Sequence, residues 1–388
     1  MENSFRLPVA LEPAQEHFLL NGLSRSGLFA SFNLHNQELQ YQLHADSDRA
    51  AASTTWTRLV TLAQRHKVEC VFMQKSERQL LGSVTEALIN KGFAKRLGEG
   101  CYLFQGDFLK LINWFDQKIV AWAETLGAEE QQYPVLWPID LFKKINYFRD
   151  FPQNILMVAG VKKDNASLQE FSARYRLDKD FAKIAWSDEM APMTHALGTS
   201  TCDPCYYAFR DGALAGDRVY HARNKCFRNE TSEHGEIDRL REFSMREVIA
   251  VGCEKHVLGV REEFFKFARE FIQELELSGR IETANDPFFT NDAALKKLFQ
   301  DSLKGKYEII AETGGATGDV AVGSINWHGD QFGRAFAAHL PNGDVMRSCC
   351  VGYGFERLAF AFCAQHGLER EQWPEPVYKA IFSGAAHA

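Results

Sequence analysis

Long hydrophobic runs are missing from this 388-residue sequence, in which nothing approaches the 18 consecutive apolar residues that a membrane-spanning helix needs. The first residues, MENSFRLPVALEP, contain an early glutamate and lack the apolar segment of a secretory signal. Internal repeats and low-complexity tracts are also missing. With 45% apolar and 24% charged residues, the chain is predicted to be a cytoplasmic globular protein without a membrane partner.

A surplus of basic residues is missing too. The chain has 44 Lys and Arg against 51 Asp and Glu, a formal net charge of −7. Residues 1–100 carry 11 basic and 10 acidic side chains, and the remainder carries 33 and 41. Because nucleic-acid binders usually need positive charge to neutralise phosphates, neither part is predicted to bind RNA over a large surface. A polyanionic partner would need a local basic patch.

The number of cysteines argues against a disulfide framework. There are nine of them, an odd count, in a chain without a secretory signal. Free thiols or metal ligands are therefore expected. The spacing directs attention to Cys202-Asp-Pro-Cys205 and to the vicinal pair Cys349-Cys350.

Hydrophobic periodicity divides the chain into two parts. Residues 1–100 mix short apolar stretches with helical spacing and predict a small α/β module of unknown role. Residues 101–388 predict helices at Phe108–Leu126 and Val260–Leu277, with Leu109 among the apolar positions of the first. Alternating patterns predict β structure at 206–209, 223–230, 241–251 and 321–338, and the INYFRDFPQ segment predicts a strand or turn. The expected fold class is α+β, a largely antiparallel sheet flanked by helices, with a helical insertion at about 255–305.

Charged side chains occupy one face of a predicted hairpin. Period-2 geometry puts Arg228 and Glu230 on the same face of one strand, and Arg241, Phe243 and Glu247 on the same face of the next. A core-facing surface would not carry these charges, because burying unpaired charge costs several kcal/mol. The face is predicted to be either a polar site or a solvated surface with cross-strand ion pairs.

A glycine-bearing turn precedes the last long helical segment. In Gly352-Tyr-Gly354-Phe-Glu356-Arg357 the glycines allow a ligand to approach the backbone, and a helix N-terminus with an arginine in its first turn favours an anion. Glycine at a strand–helix corner is common, so this motif alone is weak.

A four-cysteine zinc site is rejected on geometric grounds. Neighbouring residues of a strand point to opposite faces, so Cys349 and Cys350 do not ligate one metal together. One cysteine from each pair with a third ligand would leave an open position, as in catalytic zinc sites. Cys202 competes with Cys205, and Cys350 with Cys349; buried inert cysteines are the other interpretation.

Together these segments resemble the class II aminoacyl-tRNA synthetases. FRNE followed by RLREFSMRE resembles motif 2, GYGFERL resembles motif 3, and INYFRDFPQ resembles motif 1. Within the class, TSTCDPCYY, ANDPFF, LKGKYEII, SINWHGDQFGRAF and SCCVGYGFERL are most similar to the amino acid:carrier-protein ligases and to the catalytic core of the zinc-dependent, methanogen-type seryl-tRNA synthetases. The resemblance covers residues 101–388, the expected catalytic domain, and leaves residues 1–100 unassigned.

The resemblance implies a metal and substrate site. It selects Cys202, Glu247 and Cys350 as ligands of one zinc ion per chain, whose open position takes the α-amino group of an amino acid. It places Glu247 and Lys306 against the amino acid. Magnesium is expected with ATP, but its ligands stay open, because the strand before motif 3 offers Asp319 and no glutamate.

The resemblance also implies an ATP site. Arg228 would hold the α-phosphate, Glu230 the adenine edge, and Phe243 would stack on adenine. Arg357 would bind the outer phosphates, so that Arg228 and Arg357 are the expected catalytic residues. The complete expected ATP-binding set is Arg228, Glu230, Arg239, Leu240, Phe243, Ser324 and Arg357.

The implied activity is ATP-dependent activation of a small amino acid as aminoacyl-AMP and its transfer to the phosphopantetheine thiol of a carrier protein. A seryl-type tRNA ligase is the first alternative, disfavoured by the charge of residues 1–100, and a catalytically silent amino-acid-binding regulator is the second. Motif 1 implies a homodimer built from the helix at Phe108 and from Tyr147–Gln153. An acidic carrier would need a basic surface, for which Lys296 and Lys297 are candidates.

Overall fold

The structure, a computed structural model, describes residues 3–24, 26–65, 68–177, 186–229, 237–284, 304–314 and 318–383. The strands are β1 (Asn3–Arg6), β2 (Phe29–His35), β3 (Glu38–Leu43), β4 (Cys70–Gln74), β5 (Ala94–Gly98), β6 (Cys101–Phe104), β7 (Glu129–Glu130), β8 (Leu136–Pro138), β9 (Met157–Val158), β10 (His195–Leu197), β11 (Arg218–Phe227), β12 (Glu242–Gly252), β13 (Gly279–Thr283), β14 (Lys306–Ala311), β15 (Val320–Gly329) and β16 (Arg347–Gly354).

The α-helices are α1 (Pro13–Ser24), α2 (Arg49–Arg65), α3 (Val84–Asn90), α4 (Gly106–Thr125), α5 (Ile139–Lys144), α6 (Tyr147–Asp150), α7 (Asn165–Leu177), α8 (Trp186–Glu189), α9 (Asp203–Ala208), α10 (Glu254–Glu274), α11 (Gln331–Phe336), α12 (Phe355–His366) and α13 (Glu375–Tyr378). Short 3-10 turns lie at Pro152–Asn154 and Arg370–Gln372, and a π-helical turn lies at Lys379–Ser383. Among the helices in these ranges, none combines the length and apolarity that crossing a bilayer requires.

An eight-stranded sheet is the centre of the molecule. Its order is β4-β13-β14-β15-β16-β12-β11-β7, and every neighbouring pair is antiparallel except β11 with β7. Smaller sheets are β1-β3-β2, β8-β10-β9 and the hairpin β5-β6. The α+β prediction with a largely antiparallel sheet is confirmed.

Helices cover one face of the large sheet. The rings of Phe115 on α4, Phe271 on α10 and Phe362 on α12 meet edge to face, with Phe115 5.9 Å from Phe271 and 6.1 Å from Phe362 between centroids. Trp122 stacks on Phe267 at 4.0 Å. Burial of these aromatic side chains supplies much of the hydrophobic stabilisation of the sheet. The opposite face of the central strands is left for the polar residues described below.

Strand alternation assigns the residues of β12 and β16 to these two faces. Val248 and Ala250 pack in the helix-covered core, as does Cys349, whereas Ile249 and Cys350 pack in a separate cluster on the other face. Successive side chains of a strand point in opposite directions, which produces this division.

The prediction of β structure at 206–209 is wrong. These residues belong to the end of helix α9 and the residue after it. Pro204 lies in the first turn, where its missing N–H costs no hydrogen bond. Tyr206 is fully buried and stacks on Phe332 with 4.3 Å between ring centroids. Packing of the aromatic side chains therefore decides the local conformation, which periodicity over four residues does not determine.

The INYFRDFPQ segment also differs in part from its prediction. After α5 ends at Lys144, it forms helix α6 and the first residues of the 3-10 turn at Pro152–Asn154, so the predicted turn is present and the strand is not. Asn146, at the junction of the two helices, has φ +57°, a left-handed conformation that asparagine tolerates. Leu109, predicted on the apolar face of α4, is 38% exposed.

The N-terminal residues have a core of their own. β1, β2 and β3 pack against α1 and α2 around Leu19, Phe29, Tyr41 and Trp56. The strand β4, in contrast, pairs with β13 at the edge of the large sheet. The boundary at residue 100 and the insertion at about 255–305, of which 285–303 lie outside the described residues, stay predictions.

Candidate active site

The polar residues of the sheet face opposite α4, α10 and α12 lie in rows across the strands. Glu247 of β12 is opposite Gly352 of β16, which is opposite Ser324 of β15, which is opposite Glu308 of β14. In the next row Cys350 is opposite Asn326. The regular antiparallel register therefore brings residues from four strands onto one surface.

Three potential metal ligands lie close together near Glu247. The ligand atoms of Cys202, Glu247 and Cys350 all lie within 4.8 Å of one another, and all three residues are buried. Cys202 immediately precedes α9, and the other two ligands lie in the middle of β12 and β16. A carboxylate and two thiols are donors that zinc accepts in a tetrahedral site with one open position.

The surroundings of Glu247 test whether a cation fits. Its Oε1 accepts a hydrogen bond from the backbone N–H of Thr201 at 3.3 Å, whereas Oε2 has no hydrogen-bond partner among the described residues. Burial raises the pKa of Glu247. A buried carboxylate oxygen without a donor is costly, and a cation bound there would remove that cost. The donor set therefore fits a zinc ion.

Glycine at position 352 gives Glu247 its space. A Cβ atom at this position would lie 3.1 Å from Cγ of Glu247 and 3.3 Å from the sulfur of Met245. A side chain opposite Glu247 would therefore displace the carboxylate.

The competing cysteines lie elsewhere. Cys349 Sγ is 3.4 Å from the carbonyl oxygen of Val257 on α10, on the helix-covered side of the sheet. Cys205 is buried in α9, where burial raises the pKa of its thiol to about 12. Neither belongs to the group of ligand atoms within 4.8 Å.

Arg228 and Phe243 are neighbours at the other end of this surface. The Arg228 guanidinium lies over the Phe243 ring, 5.2 Å from its centroid, and Nε donates to the carbonyl oxygen of Thr199 at 3.2 Å. Phe243 is half-buried, so part of its side chain stays accessible. An aromatic face beside a guanidinium is suited to a base and a phosphate.

Arg357 is held by backbone oxygens. Its Nε donates to the carbonyl of Asp238 at 2.7 Å and its Nη1 to the carbonyl of Ala321 at 3.1 Å. The adjacent Glu356 is buried, and its Oε2 accepts from the backbone N–H of Ser244 at 2.8 Å. These contacts fix the first turn of α12 against β12 and β15.

Some of the remaining expected site residues belong to the part of the chain that the structure describes, and others do not. Glu230 lies outside the described residues, as do Lys296 and Lys297. Leu240 is 5% exposed, and Arg239 beside it is half-buried. Ser324 Oγ accepts from Asn326 Nδ2 at 3.0 Å, and Lys306 Nζ lies 3.3 Å from Glu308 Oε1.

Asp319 forms an ion pair with Arg280. Its Oδ2 lies 2.6 Å from Nη1 of Arg280, a residue of β13 whose Nε also lies 2.7 Å from Glu282. The position is therefore part of an ionic cluster at the sheet edge.

Sequence reasoning missed two polar residues close to the metal ligands. Asp203 is buried, accepts a hydrogen bond from Ser200 Oγ at 2.9 Å, and has a pKa that burial raises to about 7. His328 lies with Nε2 3.7 Å from Cys350 Sγ. Asp203 could have been found from its position between the two cysteines of one motif. His328 could have been found because it follows Asn326 by two residues and Ser324 by four, which places all three on one face of a strand.

Comparisons with known proteins show which proteins this chain is similar to. No protein-family profile matches the chain. The chain is 26% identical over 292 residues to amino acid:acyl-carrier-protein ligase 1 of Bradyrhizobium diazoefficiens, covering 75% of this chain and 87% of that protein. It is 28% identical over 250 residues to ligase 2 of the same organism, covering 64% and 73%. A type-2 serine–tRNA ligase of Methanopyrus kandleri is 23% identical over 316 residues, which span 77% of this chain and 60% of the relative.

Solved structures share the fold. A crystal structure of M. kandleri seryl-tRNA synthetase in complex with A. aeolicus tRNASec superposes with a TM-score of 0.74 and 18% identity over 98% of this chain and 77% of that one. Seryl-tRNA synthetase from Pyrococcus horikoshii complexed with ATP superposes with a TM-score of 0.59 and 16% identity over 79% and 64%. The chain thus has the class II aminoacyl-tRNA synthetase fold, and in sequence it resembles the amino acid:acyl-carrier-protein ligases and the type-2 serine–tRNA ligases.

Proposed function

We propose that this protein is a ligase that activates a small amino acid with ATP and transfers the aminoacyl group to the phosphopantetheine thiol of a carrier protein. The observation that carries the proposal is the grouping of Cys202, Glu247 and Cys350 on the sheet face that also bears Phe243. Sequence similarity to two proteins named as amino acid:acyl-carrier-protein ligases supports the choice of acceptor.

In this proposal the metal ligands hold the amino acid. Cys202, Glu247 and Cys350 would bind one zinc ion, which supplies an open position for the α-amino group. Glu247 also accepts a hydrogen bond from the amino group, and Lys306 lies against the substrate. Binding by the amino group leaves the α-carboxylate directed along the sheet face toward the ATP residues.

The ATP residues then perform the first step. Glu230 binds the adenine edge and Phe243 stacks on the ring, with Arg239, Leu240 and Ser324 completing the site. One α-carboxylate oxygen attacks the α-phosphorus while the bond to pyrophosphate breaks. Arg228 offsets the charge that develops, and Arg357 holds the outer phosphates. Magnesium bound with ATP would supply further positive charge there. No general base is required, because the carboxylate is already ionised.

In the second step the phosphopantetheine sulfur attacks the aminoacyl carbonyl carbon. A thioester forms, AMP leaves, and the thiol proton is released to solvent.

Transfer to tRNA is the second candidate. The superposition on the M. kandleri seryl-tRNA synthetase extends over 98% of this chain and therefore includes the N-terminal residues. Residues 1–100 carry 11 basic and 10 acidic side chains, which is little positive charge for holding tRNA.

Amino-acid-dependent exchange of pyrophosphate into ATP tests the first step. The purified protein is incubated with ATP, magnesium, zinc and each amino acid in turn. We expect exchange with one or a few small amino acids and none without an amino acid. Failure of every amino acid would contradict the proposal and favour a silent amino-acid-binding regulator.

A further inference from the structure

His328 lies at an irregular position at the end of β15. The register between β15 and β16 shifts between Trp327 and Gly329, so that Trp327 is opposite Cys349 and Gly329 is opposite Ser348. His328 is thus the extra residue of a bulge. His328 nevertheless keeps the parity of Ser324 and Asn326, and its imidazole lies on the face that carries Cys350.

Three side chains surround the imidazole and fix its orientation. Nδ1 lies 3.1 Å from Ser348 Oγ and 3.4 Å from the hydroxyl of Tyr206. The ring meets the rings of Tyr206 and Phe332 edge to face, with centroids 5.4 and 4.8 Å away. Hydrogen bonding and ring packing together leave Nε2 directed at Cys350 Sγ, 3.7 Å away.

The neighbours of Nδ1 are compatible with a proton on Nε2. Serine and tyrosine hydroxyls both have an O–H that can be donated to Nδ1. A neutral imidazole that accepts at Nδ1 carries its proton on Nε2. That N–H is then aimed at the sulfur of Cys350, to which Asn326 Nδ2 is also directed at 3.7 Å.

We propose that His328 is a positioning residue that donates a hydrogen bond to the Cys350 sulfur and thereby holds it as a metal ligand. The inference rests on the metal site of the proposed function. An N–H donor stabilises a thiolate and orients its lone pairs, and loss of such an outer partner typically weakens metal binding by 10–100-fold.

The same geometry argues against His328 as a fourth ligand. Among the described residues, the ligand atoms that lie within 4.8 Å of one another belong to Cys202, Glu247 and Cys350 and do not include a nitrogen of His328. The open coordination position therefore stays available for substrate, and His328 acts on the metal through Cys350.

Zinc affinity, measured by competition with a chromophoric chelator, tests this role in the full-length protein. His328→Phe keeps an aromatic ring between Tyr206 and Phe332 but removes the donor, whereas His328→Gln keeps an N–H donor. His256→Phe is the matched control. His256 lies on α10 and contacts the carbonyl of Arg218, and it is not one of the residues around Cys350. We expect a zinc Kd about 10–100-fold weaker in His328→Phe, with His328→Gln intermediate and His256→Phe unchanged.

The cobalt-substituted proteins provide a second readout. Hydrogen bonding to a thiolate alters its sulfur-to-cobalt charge-transfer band, so this band should shift in His328→Phe and return partly toward the wild-type position in His328→Gln. Wild-type zinc affinity and an unshifted band in a folded His328→Phe protein would overturn the proposal. If the wild-type protein binds no zinc or cobalt, the metal site itself fails, and the role of His328 with it.

Discussion

Glu247 contributes one carboxylate oxygen that is buried and lacks a hydrogen-bond partner among the described residues, within reach of two buried thiols. At the scale of single residues, a bound cation accounts for this arrangement, since it compensates the burial of the carboxylate and both sulfurs at once. Burial raises the pKa of Glu247, so an ionised carboxylate is costly at this position unless a positive charge lies beside it.

The first residue-scale prediction concerns the ligand set. Cys202→Ser or Cys350→Ser should lower the zinc content from about one ion per chain and abolish amino-acid-dependent pyrophosphate exchange, because a serine hydroxyl is a poor zinc ligand. Cys205→Ser and Cys349→Ser should retain the metal. Metal analysis of the four purified variants checks the assignment, and stoichiometric zinc in Cys350→Ser would exclude it.

The second residue-scale prediction concerns Arg228. Arg228→Ala should lower the rate of pyrophosphate exchange by about 100–1,000-fold, the usual loss when a preorganised donor to a developing charge is removed. Arg210→Ala is the control, since the Arg210 guanidinium lies over the Tyr207 ring, 4.4 Å from its centroid, away from the proposed phosphate site. Equal rates in the two variants would show that Arg228 does not act on the phosphate.

A third residue-scale prediction concerns pH. Burial lowers the pKa of His366 from 6.5 to about 4, and its Nε2 contacts the Leu275 carbonyl at 2.9 Å. The unfolded state therefore binds a proton below pH 6.5 that the folded state does not bind, so stability falls as pH falls. Between pH 7.5 and 5.5 this group should remove about 1 kcal/mol.

Urea unfolding of wild type and His366→Gln at both pH values measures this contribution. When the pH falls from 7.5 to 5.5, the free energy of unfolding of the variant should decrease by about 1 kcal/mol less than that of wild type. The exposed His195→Gln serves as the control. Parallel pH dependences in wild type and His366→Gln would contradict the prediction.

At the scale of secondary-structure elements, a buried ionic cluster joins α4 to the strands of the site. Asp116 of α4 pairs with Nε and, at 3.3 Å, with Nη2 of Arg246, and at 3.0 Å with Nη1 of Arg223. Arg246, which precedes Glu247, is 4% exposed and also lies 3.1 Å from Glu130. The cluster therefore connects the helix to the strand that carries a metal ligand.

We predict that Asp116→Ala destabilises the protein by about 3–5 kcal/mol, because it leaves Arg246 buried with one of its two carboxylate partners. The double variant Asp116→Leu with Arg246→Met should recover part of the loss, since it removes both charges. Urea unfolding midpoints measure both effects. A loss below about 1 kcal/mol for Asp116→Ala would mean that water replaces the missing partner.

Strand alternation was sufficient to predict that Cys349 and Cys350 point to opposite faces and that Phe243 and Glu247 share one, because period-2 geometry depends only on the strand being regular. It did not predict helix α9, where four aromatic and small residues fit a strand or a helix equally well and packing against Phe332 decides. His328 was also missed: its parity with Ser324 and Asn326 indicates the face, but its distance to Cys350 depends on the register between β15 and β16, which the sequence does not specify.

At the scale of the whole molecule, exposed apolar residues surround the small sheet β8-β10-β9. Leu136 and Met193 are 46% and 51% exposed, and Met157 and Phe148 are 38% and 36% exposed. Phe148 belongs to Tyr147–Gln153, one of the segments expected to form a homodimer, and Leu136 and Met157 lie close to that segment in sequence. Exposed apolar patches of this kind commonly mark an association surface.

We therefore predict that the protein is a homodimer and that Leu136→Glu with Met193→Glu shifts it to monomer. Light scattering at micromolar concentration measures the mass. Leu258→Glu is a control for added charge, because Leu258 is similarly exposed, at 38%, but lies on α10. A wild-type monomer under these conditions would contradict the prediction.

The most direct test of the account is the mass of the acceptor after a complete reaction. The protein is incubated with ATP, magnesium, zinc and the amino acid that supports exchange, together with a carrier protein bearing phosphopantetheine and, separately, with total tRNA. The account predicts that the carrier gains the mass of one aminoacyl group in a hydroxylamine-labile thioester, while tRNA stays uncharged. An unmodified carrier beside charged tRNA would contradict it.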